Sequence, residues 1–256
     1  MSKKVLGIIP ARYASTRLPG KPLALIGDKP MIQHVYENCR RALQYVYIAT
    51  DDQRIANAVE SFGGKVVMTG VYHKNGTERC AEAARHVSAI EKVNFDVIIN
   101  IQGDEPFFDS SKLRTLEALF DDRDTQIATL VNEIRSSEHL FDENEAKVVL
   151  DKESNAVYFS RFPVPFLRGV EKDKWAENHT YYRHIGVYGY RPGVLLELVG
   201  LQPTPLEKAE SLEQLRWIEN GYKVRCGITS AEDTVCVDTP EDLEKANELY
   251  KKLMNG

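Results

Sequence analysis

The chain has 256 residues, with 33 Lys and Arg against 38 Asp and Glu, and a formal net charge of −5. Its 43% hydrophobic and 28% charged residues exclude a disordered chain and supply enough core for one or two domains without a disulfide or metal staple. No apolar run reaches the ~18 residues that cross a bilayer, and the net acidity argues against nucleic-acid binding, so neither membrane insertion nor a nucleic-acid partner is expected.

The first apolar run, Val5–Pro10, follows Lys3-Lys4 and is not followed by a small-residue cleavage site, so it reads as a strand and not as a signal peptide. Residues 11–22 are small, basic and rich in Gly and Pro, and read as a loop. Ile32, Val35, Tyr36 and Cys39 give Met31–Ala42 the spacing of an amphipathic helix. Tyr45–Thr50 is a second strand, ending at Asp51-Asp52, which read as helix-capping residues. Arg54–Phe62 is a helix stopped by Gly63-Gly64, Lys65–Met68 a third strand and Thr77–Ile90 an alanine-rich helix. Phe95–Ile101 is a fully apolar strand running into Gln102-Gly103-Asp104-Glu105-Pro106. Ser110–Phe120 is helical and Ile127–Glu133 extended.

Beyond about residue 140 the texture changes. Lys147–Leu150 and Val157–Phe159 flank a turn-forming Asp151–Asn155 and predict a hairpin. Pro163, Pro165 and Gly169 make an irregular stretch, and His73, Trp175 and the charges of 171–180 read as surface or interface. His184–Tyr190 is a strand, Pro192 starts a helix, Leu206–Asn220 is one long helix stopped at Gly221, and Lys223–Ile228 is the last strand. Thr239 and Pro240 have the order of an N-cap and first helical residue, opening a helix to about Leu253.

Strands alternating with helices predict an α/β fold: a mostly parallel central sheet with helices on both faces, Rossmann-like, within a single domain 1–256. An inserted β-containing subdomain at about 140–205 is expected to carry acceptor specificity and a dimer contact. The polar clusters 11–21, 51–52 and 102–105 each follow a strand and so fall on the carboxyl edge of the sheet, where ligands bind. The four cysteines, Cys39, Cys80, Cys226 and Cys236, form no C-x-x-C pair, which predicts reduced thiols in a cytoplasmic protein and no zinc site.

Three constellations can carry chemistry. Arg12, Arg17 and Lys21, set among small residues after the first strand, can wrap a polyphosphate; the alternative is a solvated basic loop. Asp104, at the end of an apolar strand, is placed to hold Mg²⁺, or belongs to a Gly-Asp turn before Pro106. Asp238 can add a second carboxylate, or simply precede the last helix. His184 and Tyr188 share one strand face if the strand is regular, and that face is either site or core. Glu213 and Gln214 lie about 100° apart on a helix and cannot point the same way.

Taken together, these segments resemble one family. The run from Ile8 to Met31, with Asn75–Arg79, Ile101–Pro106, Lys147–Asp151, Tyr158–Arg161, Arg183–Tyr190, Pro205–Glu207, Leu212–Arg216 and Val237–Leu243, is similar in order and residue type to the 3-deoxy-D-manno-octulosonate (Kdo) cytidylyltransferases, over nearly the whole chain. The resemblance implies a nucleotidyltransferase fold and CMP transfer from CTP to the anomeric hydroxyl of Kdo, with pyrophosphate release, for lipopolysaccharide synthesis by a homodimer. An 8-amino-8-deoxy Kdo analogue, or another sugar acid, is the alternative acceptor. It implies further that Arg12, Arg17 and Lys21 hold the triphosphate, with Lys21 stabilising charge at the α-phosphate, and that cytidine lies along the Ala11–Ser15 backbone with Arg79 near the base. Asp104 and Asp238 would bind Mg²⁺, as one ion or one of two. The sugar site would fall on Gln102, Arg161, His184, Tyr188, Glu213 and Gln214.

Overall fold

The computed structural model describes residues 3–231 and 235–255. Its strands in chain order are β1 (Val5–Pro10), β2 (Leu25–Ile26), β3 (Lys29–Pro30), β4 (Tyr45–Thr50), β5 (Val66–Met68), β6 (Val97–Asn100), β7 (Ile127–Ile134), β8 (Lys147–Leu150), β9 (Ala156–Ser160), β10 (Tyr181–Tyr190) and β11 (Val224–Ile228). The helices are α1 (Met31–Arg40), α2 (Gln53–Ser61), α3 (Gly76–Glu91), α4 (Ser111–Ala118), α5 (Ser137–Phe141), α6 (Trp175–Asn178), α7 (Pro192–Leu198), α8 (Pro205–Glu210), α9 (Gln214–Glu219) and α10 (Pro240–Asn255). Among the described residues no helix is long and apolar enough to cross a membrane. The chain divides into two compact units, Met1–Arg114 with Glu232–Gly256, and Thr115–Ala231, the second of which contains the 140–205 stretch.

In the first unit four parallel strands lie in the order β6-β1-β4-β5. The residues of β1, β4 and β6 are almost all buried, on both faces, which is why they read as unbroken apolar runs. The crossovers through α1 and α2 step from β1 outward to β4 and β5; the crossover through α3 returns to the other side of β1. Right-handed connections put α3 on the opposite sheet face from α1 and α2. The strand order therefore reverses between β1 and β6, and the loops after those two strands flank the crevice where such sheets bind ligands. Gly103 permits the close approach there, because a Cβ on it would stand 3.1 Å from the Pro10 carbonyl oxygen. The last helix begins as its sequence predicts: the Asp242 N–H donates to Thr239 Oγ1 (3.2 Å) and the Thr239 N–H returns to Asp242 Oδ2 (3.1 Å).

The second unit is a mixed sheet in the order β11-β7-β10, with β8 beside β10 and β9 beside β8; only β11 and β7 run parallel. β8 and β9 form the expected hairpin. Trp175 is not a surface residue: it is 1% exposed, donates from Nε1 to the Val170 carbonyl (3.0 Å) and packs with Ile134, Leu140 and Tyr181. The long helix expected over Leu206–Asn220 is two helices. Ser211 takes a left-handed conformation (φ 54°, ψ 45°) that ends α8, and α9 restarts at Gln214. An ion pair spans the break, with Arg216 Nε and Nη2 donating to Glu207 Oε2 and Oε1 at 2.7 and 2.5 Å. That forked pair ties the Pro205–Glu207 segment to the Leu212–Arg216 segment.

Candidate active site

At the switch point of the first unit, side chains from three segments remote in sequence meet. Lys21 Nζ donates to Asp104 Oδ2 at 2.8 Å and to Asp238 Oδ1 at 2.9 Å, and Arg17 Nη2 pairs with Asp238 Oδ2 at 3.0 Å. Backbone structure brings them together. Lys21 opens a short 3-10 turn, Lys21–Leu23, after Gly20, and Asp104 sits in the loop after β6. The Val237 N–H donates to the Asp104 carbonyl at 2.9 Å, tying the Asp238 segment to that loop. Val237 itself is buried with Ile26, Met31 and Ala246, which anchors the segment through apolar packing. Burial opposes the charge on Lys21, but Asp104 and Asp238 outweigh it and raise its pKa above the ordinary lysine value.

The other residues expected at the nucleotide, and Gln102, are placed by the first unit as well. Ala11 is buried, its N–H on the Ala49 carbonyl (2.8 Å). Arg12 is exposed, with no ion pair or hydrogen bond among the described residues. Ser15 Oγ accepts from the Leu18 N–H at 3.4 Å. Gln102 follows β6 and is exposed. Arg79 is 3% exposed; its Nη1 donates to Thr69 Oγ1 (2.7 Å) and its Nη2 to Asp51 Oδ2 (2.9 Å). Asp51 is thus the partner of Arg79 and not a helix cap; the cap of α2 is Asp52, whose Oδ1 accepts from the Arg54 N–H at 2.9 Å. In Asn75-Gly-Thr-Glu-Arg79, Asn75 caps α3 by accepting from the Glu78 N–H (2.9 Å), which starts the helix so that Arg79 enters the interior.

The residues expected around the acceptor lie in the second unit, Gln102 apart. A bulge between Ile185 and Tyr188 breaks the regularity of β10, yet the His184 and Tyr188 rings stay together, with centroids 5.1 Å apart. Thr129 Oγ1 lies 2.8 Å from the Val187 carbonyl and 3.1 Å from His184 Nε2. A hydroxyl has one proton, so with that proton on Val187 the imidazole donates from Nε2 and keeps Nδ1 as an acceptor. Tyr188 packs edge-on against Trp217, centroids 5.0 Å apart. Among the described residues, the Tyr188 hydroxyl and Trp217 Nε1 are buried without a hydrogen-bond partner of good geometry; Thr129, which also lies against the Tyr188 oxygen, is already committed. Burial, then Cys226 and Glu213, raises the Tyr188 pKa, so the phenol stays protonated. Glu213 is half-buried at the start of α9 and Gln214 is 5% exposed in its first position. Arg161 is tied down on backbone: Nε to the Glu210 carbonyl (2.7 Å), Nη1 to Glu143 (3.0 Å) and Nη2 to Ser211 (3.5 Å). It braces the break between α8 and α9.

A family model described as cytidylyltransferase matches residues 6–224. The chain belongs to the cytidylyltransferase family. A 3-deoxy-manno-octulosonate cytidylyltransferase of Bacteroides thetaiotaomicron is 54% identical over 97% of this chain and 98% of its own. One of Porphyromonas gingivalis is 48% identical over 96% of each. Among solved structures, a CMP:2-keto-3-deoxy-manno-octonic acid synthetase complexed with CTP superposes with a TM-score of 0.87 at 41% identity, covering 98% of this chain and 100% of that one. A putative glucose-1-phosphate thymidylyltransferase of Bacillus anthracis shares the fold at 18% identity, with a TM-score of 0.63 over 96% of this chain and 95% of that one.

Within this cytidylyltransferase, sequence reasoning passed over Cys236. One donor atom each from Asp104, Cys236 and Asp238 lie within 4.8 Å of one another. Residues i and i+2 of an extended segment share a face, so the spacing to Asp238 was the available signal. Partial burial, Asp104 and Asp238 push the Cys236 thiol up to about 12, leaving the carboxylates as the charged groups. His73, unlike the exposed Cys236, is enclosed and not superficial, with Nε2 on Glu82.

Enclosure, with Arg183 second, lowers the His184 pKa from the usual 6.5 to about 3. The folded protein thus keeps this ring neutral, while the unfolded chain takes up a proton below pH about 6.5. Its contribution to stability is complete above that pH and falls as pH drops toward 3, with a limiting slope of about 1.4 kcal/mol per unit. His184→Gln is expected to lessen the acid loss of stability, read as urea midpoints at pH 7.5 and pH 5. Parallel midpoints in the two proteins would show that the ring protonates without cost.

Proposed function

We propose that the chain transfers CMP from CTP to the anomeric hydroxyl of 3-deoxy-manno-octulosonate and releases pyrophosphate. The observation that carries this reading is the ammonium of Lys21 held between Asp104 and Asp238, at the switch point of a cytidylyltransferase fold, beside Arg12 and Arg17. Three cations on one loop can neutralise a triphosphate. Two adjacent carboxylates that already enclose a cation suit Mg²⁺, a hard ion that takes carboxylate, phosphate and water oxygens. The Cys236 sulfur is a soft donor and does not suit that hard ion. Asp104 and Asp238 would hold Mg²⁺, which when bound supplies positive charge to the phosphates and lowers the pKa of the attacking hydroxyl.

This chain's own residues do the rest. Lys21 leaves the carboxylates for the α-phosphate, where it offsets the charge that builds up as the acceptor oxygen bonds to phosphorus. The bond from the α-phosphorus to the bridging oxygen breaks, pyrophosphate departs with its electron pair and the acceptor proton passes to solvent. Arg12 and Arg17 hold the β- and γ-phosphates, so the reaction depends on positioning and charge more than on a protein base. Arg79, fixed by Asp51 and Thr69, lies on the base side. The polar ring of the second unit suits a hydroxylated sugar acid: neutral His184 offers Nδ1, Gln214 an amide and Glu213 a carboxylate. The Tyr188 hydroxyl and Trp217 Nε1 offer buried donors that a ligand would satisfy.

The test is pyrophosphate release from the purified protein with CTP, Mg²⁺ and Kdo, with controls lacking Kdo or replacing CTP with UTP. Release that requires both CTP and Kdo supports the reading. CTP binding without release rejects Kdo as the acceptor. A homodimer is part of the same proposal: Phe162 and Phe166 are 54% and 70% exposed around the Val164–Leu167 stretch. A monomer by light scattering at micromolar concentration counts against it.

A further inference from the structure

We propose that Tyr13, Arg54 and Asp52 form a latch that sets the shape of the 11–22 loop for CTP, with Tyr13 and Arg54 as positioning residues. This rests on the proposed role of that loop in holding the triphosphate. The loop is a bow, residues 14–19, on a stem made by Tyr13 and Gly20. The Gly20 N–H donates to the Tyr13 carbonyl at 3.1 Å, and Lys21 follows directly. Gly20 has φ +68° and is buried, and a Cβ there would stand 3.1 Å from Tyr13 Cζ, so the tyrosine ring lies against the glycine. Arg54 covers the ring: its Cζ is 3.3 Å from the Tyr13 centroid.

Arg54 is itself held. Its Nε donates to Asp52 Oδ1 (2.9 Å) and its Nη2 to Asp52 Oδ2 (2.6 Å), a forked pair that fixes the plane of the guanidinium. Asp52 is in turn the cap of α2. The layers run Gly20, Tyr13, Arg54, Asp52, from the base of the bow to a helix terminus. Arg12 flanks one side of the stem, Lys21 the other, and Arg17 sits on the bow, so the stem fixes the spacing of all three cations. A stem closed before the nucleotide arrives removes ordering from the cost of binding. The cation–ring contact uses the face of Tyr13 and not its hydroxyl, so phenylalanine preserves it.

The experiment is titration of the full chain with CTP and Mg²⁺ in the absence of acceptor, and steady-state kinetics with it, for Tyr13→Ala, Tyr13→Phe, Arg54→Ala and the double variant Tyr13→Ala/Arg54→Ala. Loss of one exposed cation–π contact corresponds to about fivefold in affinity, and that weakening for CTP is expected in each alanine variant. The KM for CTP rises to match, with kcat and the KM for the acceptor unchanged. Tyr13→Phe stays within about twofold of wild type, and the double variant is no weaker than the weaker single one, because both remove the same contact. Arg54 is exposed on α2, so its variant carries the test should Tyr13→Ala fail to fold. Wild-type CTP affinity in Arg54→Ala, or losses that multiply in the double variant, overturn the latch alone. A wild-type chain that binds no CTP removes the nucleotide reading and the latch with it.

Discussion

Asp104→Asn is expected to lower kcat about 10³-fold, as loss of several kcal/mol of charge stabilisation at the reacting phosphate requires. The substitution keeps the size of the side chain and leaves the Asp104 carbonyl free to accept from the Val237 N–H, so the loop geometry survives. Lys21 retains Asp238 at 2.9 Å, so no buried charge is left without a counter-charge. Folding should therefore be close to wild type by circular dichroism while pyrophosphate release nearly vanishes. Raising Mg²⁺ is expected to restore part of the rate, because one ligating carboxylate remains. Wild-type turnover in a folded Asp104→Asn would remove Asp104 from the site.

Lys21→Ala is expected to cost about 10²- to 10³-fold in kcat, by analogy with removal of a single preorganised donor to a developing oxyanion. An effect confined to the KM for CTP would make Lys21 a ground-state contact. A second readout separates its two roles. In the free protein the ammonium occupies Asp104 Oδ2 and Asp238 Oδ1, so its removal frees those two oxygens for Mg²⁺ while Arg17 keeps Asp238 Oδ2, and half-saturation with Mg²⁺ should fall even as kcat drops. The pH dependence has a definite sign. The folded pKa of Lys21 lies above the ordinary 10.5, so its charge and its share of stability are intact below that value. Both are lost only as pH rises through the higher folded pKa. Any fall in rate between pH 6 and 9 belongs to other groups.

The alternation of buried strands and amphipathic helices was legible as far as Ile127–Ile134, because burial on both faces of a parallel sheet leaves an apolar run that needs no partner to be recognised. The capping pattern at Thr239 and Asp242 was legible for the same reason: its hydrogen bonds connect residues three apart. Helix 206–220 was misread because its apolar periodicity runs on through Ser211, while the left-handed turn there is held by Arg161 on Glu210 and Ser211, 49 and 50 residues away. Asp51 looked like a cap because it stands next to one.

The sequence by itself determined which residues carry charge, where the main strands and helices lie as far as Ile134, and that the basic loop, Asp51 and Asp104 follow strands of a parallel sheet. These are properties of neighbours along the chain, where period and spacing act directly. Only the tertiary structure decided that Lys21 sits between carboxylates 83 and 217 residues away, that Arg79 is spent on Asp51, that Arg161 is braced on backbone carbonyls and that Tyr13 is covered by Arg54. A charge and its counter-charge need not share any local pattern. Their pairing is set by the strand order that reverses between β6 and β1, by the return of the C-terminal segment onto the Asp104 loop, and by the desolvation that leaves a buried cation few tolerable partners.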